Sequence, residues 1–539
     1  MMDLIHKPRF SLGIAALFCI ILYLAGINCR PLFPVDETRY LSVAWEMYSG
    51  KDWLVPHLNL QPYDHKPPLL FWCINLLWHA FSVSQEVAMA LPFLCAFLLV
   101  ICTQRLAGKL MPDEKDIATA TYILIGFLPF VVYSNMIMFD ILLSVFVIIG
   151  ITSIWDYART SHNSHLVILS ACGGLGLLTK GPVILLHLVL PVLLARFWNK
   201  GSAIPRRKWV SYLALSFLVS LLLGLCWAIP ASIKGGPDFS DRIFWGQTAG
   251  RMANSFDHQK PFWWYLPFMP LFLAPWIFSP YIWKGLKNLK EIQTQKSLRF
   301  LIVWLVPAFI SFSLISGKQL HYLLPLLPCL AIIMAMGLKN ITFDSSSRLN
   351  VLPFLVYGIL MMIPLIIKFT YSLSSSEFAF GQDLLTPISY LTGLLALAIM
   401  IGIFIMGHKK PLTYILSISL SSLILMLSME FQAKDGLFKR YDIRPVAEVL
   451  ERNPGLTLAF TRNYHGEWGF LARLDRRVRQ MKVESKDLYL KYFPNSLIVV
   501  RTDDPAEVEA YDIIFSMPYK MQDRYYIIAK KGRGHLYSR

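Results

Sequence analysis

The chain has 539 residues, of which 55% are hydrophobic and only 16% charged, and its mean hydropathy is +0.50. That balance excludes a string of ordinary soluble domains and places the chain among polytopic membrane proteins. A formal charge of +17 points to anionic partners such as lipid headgroups or phosphates. With no recognisable nucleic-acid module in the sequence, nucleic acid is not among the expected partners.

The apolar runs, taken in chain order, give about thirteen segments able to cross a hydrocarbon core, which takes about 20 residues. They are 10–29, 85–107, 117–135, 139–157, 165–180, 181–198, 209–232, 263–284, 298–317, 318–338, 350–369, 387–406 and 411–430. The first lacks a small-residue cleavage pattern and reads as a retained span rather than a removed signal peptide. Lys180-Gly181-Pro182 and Gly317-Lys318 break runs that are otherwise nearly continuous. Between the first two segments lies a polar stretch, 30–84, that concentrates charge where its neighbours have almost none.

Positive charge assigns the sides. With the N-terminus cytoplasmic, the inner loops carry Lys109 and Lys115, then Arg159, then Arg206–Lys208, and later Lys284–Arg299, Lys339 and Lys410. Loop 30–84, loop 233–262 and the chain end then face outward, which in a bacterial inner membrane is the periplasm. Composition changes after residue 430. The stretch 431–539 carries charges of both signs and no spanning run, with a helix expected in YDIRPVAEVLERNPG and strands in LTLAF, SLIVVRT and YYIIAKK. The expected organisation is a membrane domain, 1–430, followed by a periplasmic α/β domain, 431–539.

Eight cysteines occur, and none follows Cys329, so the polar C-terminal part is not a disulfide scaffold. Most sit in apolar runs as small buried hydrophobes. Cys29 and Cys73 share the first outer loop, where both a bridge and two thiols remain open.

Chemistry-bearing residues gather in the segments assigned to the outside. Asp36 and Glu37 follow Pro34 at an expected helix start, with Arg39 and Tyr40 one turn on. Asp36 reads either as a cap, accepting backbone N–H groups at the positive end of the helix dipole, or as a reactive acid. Lys66 precedes Pro67-Pro68 and an apolar helix, so it either snorkels at the interface or marks an anion site at a helix start. Asp140 lies between two spans with almost no polar residue around it, a costly depth unless it is paired or faces a cavity. Lys180 falls at one break, and Lys318, His321 and Tyr322 at another. Arg251, His258 and Lys260 precede the aromatic belt Trp263-Trp264-Tyr265. A cavity with acids on one side and cations on the other is the economical expectation. There is no P-loop, HExxH or cysteine metal motif, so no cofactor is required and a divalent metal stays open without a ligand motif, and His57 and His65 are too isolated to argue for zinc.

DETRY at 36–40, WLVPHLN at 53–59 and PYDHKPPLLFW at 62–72, with TKGP at 179–182 and KQLHYLLPLLP at 318–328, resemble the bacterial branch of the protein O-mannosyltransferase superfamily. The resemblance extends over residues 8–340 and implies the GT-C membrane glycosyltransferase fold. It implies transfer of a sugar from undecaprenyl phosphate, foremost 4-amino-4-deoxy-L-arabinose to a lipid A phosphate, by a monomer. Another polyprenyl-linked sugar passed to a glycan or to protein Ser/Thr is the alternative within this class. By the same resemblance, Asp36 and Glu37 stand at the acceptor and Asp140 is a second functional carboxylate. Lys66, with Tyr63 and Arg251, holds the carrier phosphate, while Lys180, His321 and Tyr322 line the cavity. The stretch Tyr63-Asp64-His65-Lys66 departs from the more usual Tyr-Phe-Glu-Lys. A lipid-linked-sugar flippase would concentrate charge at mid-membrane around a repeat, whereas here charge gathers at the outer face and no repeat is visible.

Overall fold

The structure, a computed structural model, describes residues 4–200, 204–244, 260–292, 295–373, 387–520 and 523–529. Seven of its helices are long and apolar enough to cross a membrane: Pro8–Cys29, Gln85–Leu110, Phe139–Thr160, Arg206–Gly235, Lys296–Leu314, Leu320–Gly337 and Pro411–Lys434. The pair Glu114–Gly126 and Leu128–Ser134, bent by 63°, is apolar enough only when taken together, as a broken span or a re-entrant loop. Shorter apolar helices, among them Ser164–Lys180, Val183–Leu193 and Leu391–Gly407, account for other apolar runs. The chain is a multi-pass membrane protein.

Two departures from the expected spans meet each other. The segment 263–284 is a series of short pieces, Leu266–Phe268, Met269–Phe272, Trp276–Phe278 and Pro280–Asn288, rather than one helix. Pro267, Pro270, Pro275 and Pro280 remove amide donors at intervals that prevent a continuous ladder. The bend at Phe127 leaves the Leu128 amide without its helical acceptor, and Ala274 O accepts it at 2.9 Å. Backbone freed at membrane depth is thus paired by another broken segment. The Trp276 indole donates to Ile123 O at 3.0 Å, and a Cβ at Gly126 would overlap both Trp276 and Ser419.

All described segments assigned outward meet at one end of the bundle. Arg30 reaches Asn135, Lys180 reaches Asp140, and Arg242 approaches Asp64. At the other end, Lys7 pairs with Glu114, and Lys339 with Asp113 at 2.8 Å. Cys29 and Cys73 are both free thiols.

The C-terminal part folds as a five-stranded sheet in the order Val478–Gln480, Thr457–Phe460, Ser496–Thr502, Arg524–Ala529, Asp512–Pro518. The first two junctions are parallel and the last two antiparallel. The expected helix is present as Arg444–Glu451, with its buried face, Val446, Ala447 and Leu450, packed on Phe460, Trp468 and Tyr525. Arg476 closes the end of that helix by donating to Leu450 O and Asn453 O at 3.0 and 2.8 Å.

This sheet region docks on the helix Asp36–Ser49. Ser42 Oγ donates to Gly466 O at 2.7 Å and accepts from Phe470 N at 3.0 Å. The Trp45 indole donates to Leu474 O at 3.1 Å, and Phe470 stacks on Trp78 at 5.1 Å. Glu46 holds a tight hairpin turn by accepting from the amides of Asn59 and Leu60 at 2.7 and 2.8 Å. Both of these residues have positive φ, 56° and 58°, a region that Asn enters readily and Leu does not. The Asn59 amide then exchanges two hydrogen bonds with the Val478 backbone, at 2.9 and 2.7 Å. Burial pushes the Glu46 carboxyl up, and the two amide donors oppose that rise. Replacing Glu46 by Ala is expected to cost about 2–4 kcal/mol, since two charge-assisted bonds disappear from a buried turn. Thermal unfolding in detergent, followed by protease accessibility of the 57–62 turn, checks this.

Candidate active site

The first loop forms its site around one short helix. Val35 is the N-cap of Asp36–Ser49 and makes no side-chain cap, so Asp36 occupies the first helical position and is not the cap. Its carboxylate pairs with Arg39 one turn along and accepts from the Tyr40 hydroxyl at 3.4 Å. The Asp36 side chain is 52% exposed, which leaves it accessible at the mouth of the site. Burial, and then the negative charge of Asp36, push the Tyr40 phenol well above its ordinary value, so it remains a proton donor.

Glu37 is different from its neighbour, and its side chain turns inward, away from the place beside the acceptor that the resemblance implies. The residue is fully buried. Its two oxygens accept a bidentate pair from Arg30 at 2.6 and 2.9 Å, the Phe33 amide at 3.0 Å and the Ile137 amide at 2.8 Å. A carboxylate saturated by four donors and closed to solvent has no face for a substrate.

Asp140 sits in the first turn of Phe139–Thr160 and is 2% exposed. Lys180 forms an ion pair with one oxygen, and His321 Nε2 lies 3.8 Å from the other. The Lys180 ammonium also rests 4.1 Å from the centre of the Tyr322 ring, and His321 lies between Tyr322 and Tyr133. Four residues singled out from the sequence, from three separate segments, therefore come together. The geometry also revises the part expected of Asp140. Enclosed by two basic side chains, it orients Lys180 and His321 and offers little surface of its own for direct attack.

Lys66 stands three residues ahead of the helix Leu69–Ala80, whose N-cap is Pro68. Pro67 and Pro68 carry no N–H, so the free donors of this helix start at Leu69. The Lys66 ammonium lies 5.7 Å from the centre of the Phe139 ring, beside the start of the Asp140 helix, and acts electrostatically on both Asp140 and His321. Phe139 also packs edge-on against Tyr40 at 5.0 Å and Phe71 at 5.6 Å, which joins the Asp36, Lys66 and Asp140 segments through one ring. Tyr63 is buried against His65 and Phe71.

Other expectations resolve differently. Lys318 is 2% exposed and donates to Lys260 O at 2.9 Å and to Ile315 O, so it ties two loop backbones together instead of presenting a charge to a ligand. Arg251 and His258 lie outside the described residues. Acids and cations do not occupy opposite walls. They alternate in pairs: Asp36 with Arg39, Glu37 with Arg30, Asp140 with Lys180, and Asp52 with Lys234 at 3.0 Å. Among the described residues no three His, Cys, Asp or Glu side chains form a metal-binding group. Arg30, Asn135 and Arg242 were not singled out from the sequence. Arg30 ends an apolar segment and reads as an ordinary flanking cation, and only its partner Glu37, seven residues on, hinted at pairing. Asp140→Asn leaves the Lys180 ammonium buried without its counter-charge and is expected to cost about 3–5 kcal/mol, measurable as a lowered melting temperature.

The family described as dolichyl-phosphate-mannose-protein mannosyltransferase matches residues 65–227, a range that holds Lys66, Asp140 and Lys180. An undecaprenyl phosphate-alpha-4-amino-4-deoxy-L-arabinose arabinosyl transferase from Photorhabdus laumondii is 30% identical over 328 residues, 59% of this chain and 58% of the relative. The enzyme of that name from Edwardsiella ictaluri is 29% identical over 353 residues, 63% of this chain and 61% of its own. The match thus spans about three fifths of the length of these curated relatives. In three dimensions the likeness is nearly complete. The crystal structure of ArnT from Cupriavidus metallidurans bound to undecaprenyl phosphate superposes with a TM-score of 0.76 at 17% identity, over 96% of this chain and 98% of that one. Its apo form gives 0.72 over the same shares. Residues 65–227 thus match the dolichyl-phosphate-mannose-protein mannosyltransferase family, and the chain as a whole has the GT-C fold seen in ArnT.

Proposed function

We propose that this protein transfers 4-amino-4-deoxy-L-arabinose from undecaprenyl phosphate to a phosphate of lipid A at the periplasmic face of a bacterial inner membrane. The observation that carries this reading is the convergence of Lys66, the Asp140–Lys180–His321 group and the accessible Asp36 at one end of the bundle. The names of the sequence relatives supply the sugar and its carrier. In this reading the N-terminus is cytoplasmic, the C-terminal sheet region is periplasmic, and a monomer suffices.

The chemistry follows from charge. The bond between the anomeric carbon and the carrier phosphate breaks, a bond to the acceptor oxygen forms on the opposite face, and the electron pair leaves with the phosphate. Stabilising that developing charge is the largest contribution a protein makes to such a step. Lys66, beside the free donors of the helix starting at Leu69, receives the carrier phosphate. Lys180, held by Asp140, adds positive potential behind it, so protein cations serve the leaving group. The anomeric centre passes through an oxocarbenium-like state, which the Asp36 carboxylate stabilises from the mouth. A lipid A phosphate is already an anion and needs no strong base. A protein or glycan hydroxyl would need Asp36 to take its proton.

The test uses purified protein in nanodiscs with the undecaprenyl-linked sugar and lipid A, followed by mass spectrometry of both lipids. A mass gain on lipid A equal to one aminoarabinose supports the proposal, and a donor left intact contradicts it. Transfer to another acceptor from another polyprenyl-linked sugar would favour the broader reading suggested by the family description. Asp36→Asn should reduce turnover by about 100-fold or more while the protein remains folded. Lys66→Ala should raise the apparent KM for the donor by about tenfold, the loss of a charged hydrogen bond. An unchanged KM would remove Lys66 from the phosphate site.

A further inference from the structure

Behind the site lies a polar cluster closed to solvent, built around Arg30 and Glu37. Arg30 ends the first span and is 4% exposed. It grips Glu37 with both terminal nitrogens and also donates to Asn135, through Nε to Oδ1 at 3.4 Å and through Nη2 to its backbone carbonyl. The Asn135 side-chain amide donates in turn to Glu430 near the end of the last span, where the carboxylate is 1% exposed. Asn135 occupies the turn between the bent helix pair and the Asp140 helix. A Cβ at Gly26 would collide with its Oδ1, so the first span is shaped to admit this side chain. Glu37 completes the link by accepting from the Ile137 amide at 2.8 Å, three residues before Asp140.

We infer that Arg30, Glu37, Asn135 and Glu430 form a positioning network that fixes the separation of Asp36 from the Asp140–Lys180–His321 group. Glu37 follows Asp36 directly and bonds the backbone leading into Asp140, so its four donors lock the two acid-bearing helix starts together. Arg30 is the shared cation, and Asn135 carries the link to Glu430 on the last span. That span leads through Leu437–Arg440 toward the C-terminal sheet, and Phe438 packs edge-on against Phe33, whose amide also binds Glu37. Glu37 is therefore a positioning residue, although it stands beside the exposed acid. Neither member of the buried pair is dispensable alone, because removing one leaves an uncompensated charge.

This inference rests on the proposed transfer only for its kinetic readout, and a double-mutant cycle separates the two. Glu37→Gln and Arg30→Gln are each expected to lower kcat by about 100-fold, the effect of a small misplacement of reacting groups, with KM for the donor little changed. The double variant Arg30→Gln/Glu37→Gln removes both charges of the pair together and should recover at least about tenfold over either single change. A double variant no better than Glu37→Gln would assign Glu37 to the chemistry and overturn the inference. Melting temperatures are read in the same cycle without reference to activity: both singles should fall and the double should partly recover, whereas additive losses would contradict the network. Glu430→Gln, which keeps an acceptor for Asn135, should retain most of the transfer, whereas Glu430→Ala should behave like the Glu37 variant; equal effects of the two would remove Glu430 from the network. Should the wild type leave the aminoarabinose donor intact, the functional reading fails while the melting cycle still decides the positioning claim.

Discussion

The buried pairing of Arg30 with Glu37 is the constraint on which the outer end of this molecule depends. Both side chains are almost completely withdrawn from solvent, and between them they bind the end of the first span, the start of the Asp36 helix and the turn before the Asp140 helix. Placing two charges there is costly unless every donor and acceptor is matched, and Glu37 has four donors. Such a pair adds little to net stability compared with apolar packing. Its value lies in defining one arrangement of three chain segments that apolar contacts alone would leave free to slide.

The helix Asp36–Ser49 is consequently a hub with distinct faces. Its first turn presents Asp36 to the outside and Glu37 to the interior. Tyr40 meets Phe139, while Ser42, Trp45 and Glu46 face the C-terminal sheet and its supporting hairpin. The C-terminal sheet region is joined to the helical part by hydrogen bonds to defined backbone atoms. Arg473 adds to this seam, donating to Val83 O at 2.9 Å and lying over Phe470 and Trp45. The conspicuous arginines of this region thus serve partly to hold the two parts together, which reduces the number left to attract an anionic acceptor.

The membrane character, the order of most helices and the grouping of the charged segments at one end of the bundle were legible because hydropathy and the placement of lysines and arginines are local signals. The strands at 457–460, 496–502 and 524–529 were legible as β-branched and aromatic runs. Val478–Gln480 was not, since three residues reading Val-Arg-Gln carry no alternation to notice. The broken 263–284 segment was misread because its apolar content masked four prolines. Within the site, the segments supplying Asp140, Lys180 and His321 were recognised, but their mutual pairing is a tertiary fact that spacing cannot state. Glu37 shows the limit most clearly. Adjacent acids look equivalent in sequence, yet a 100° turn of the helix sends one to solvent and the other into a cage of donors.

The central claim is that these outer segments form one carrier-phosphate site, with Lys66 at its mouth and the Asp140–Lys180–His321 group behind. A cryo-EM map of the protein in nanodiscs containing undecaprenyl phosphate tests it most directly. Phosphate density within ion-pair reach of Lys66, next to the helix start at Leu69, is the predicted result. Density for the carrier headgroup at another face of the bundle, with Lys66 unengaged, would contradict the account.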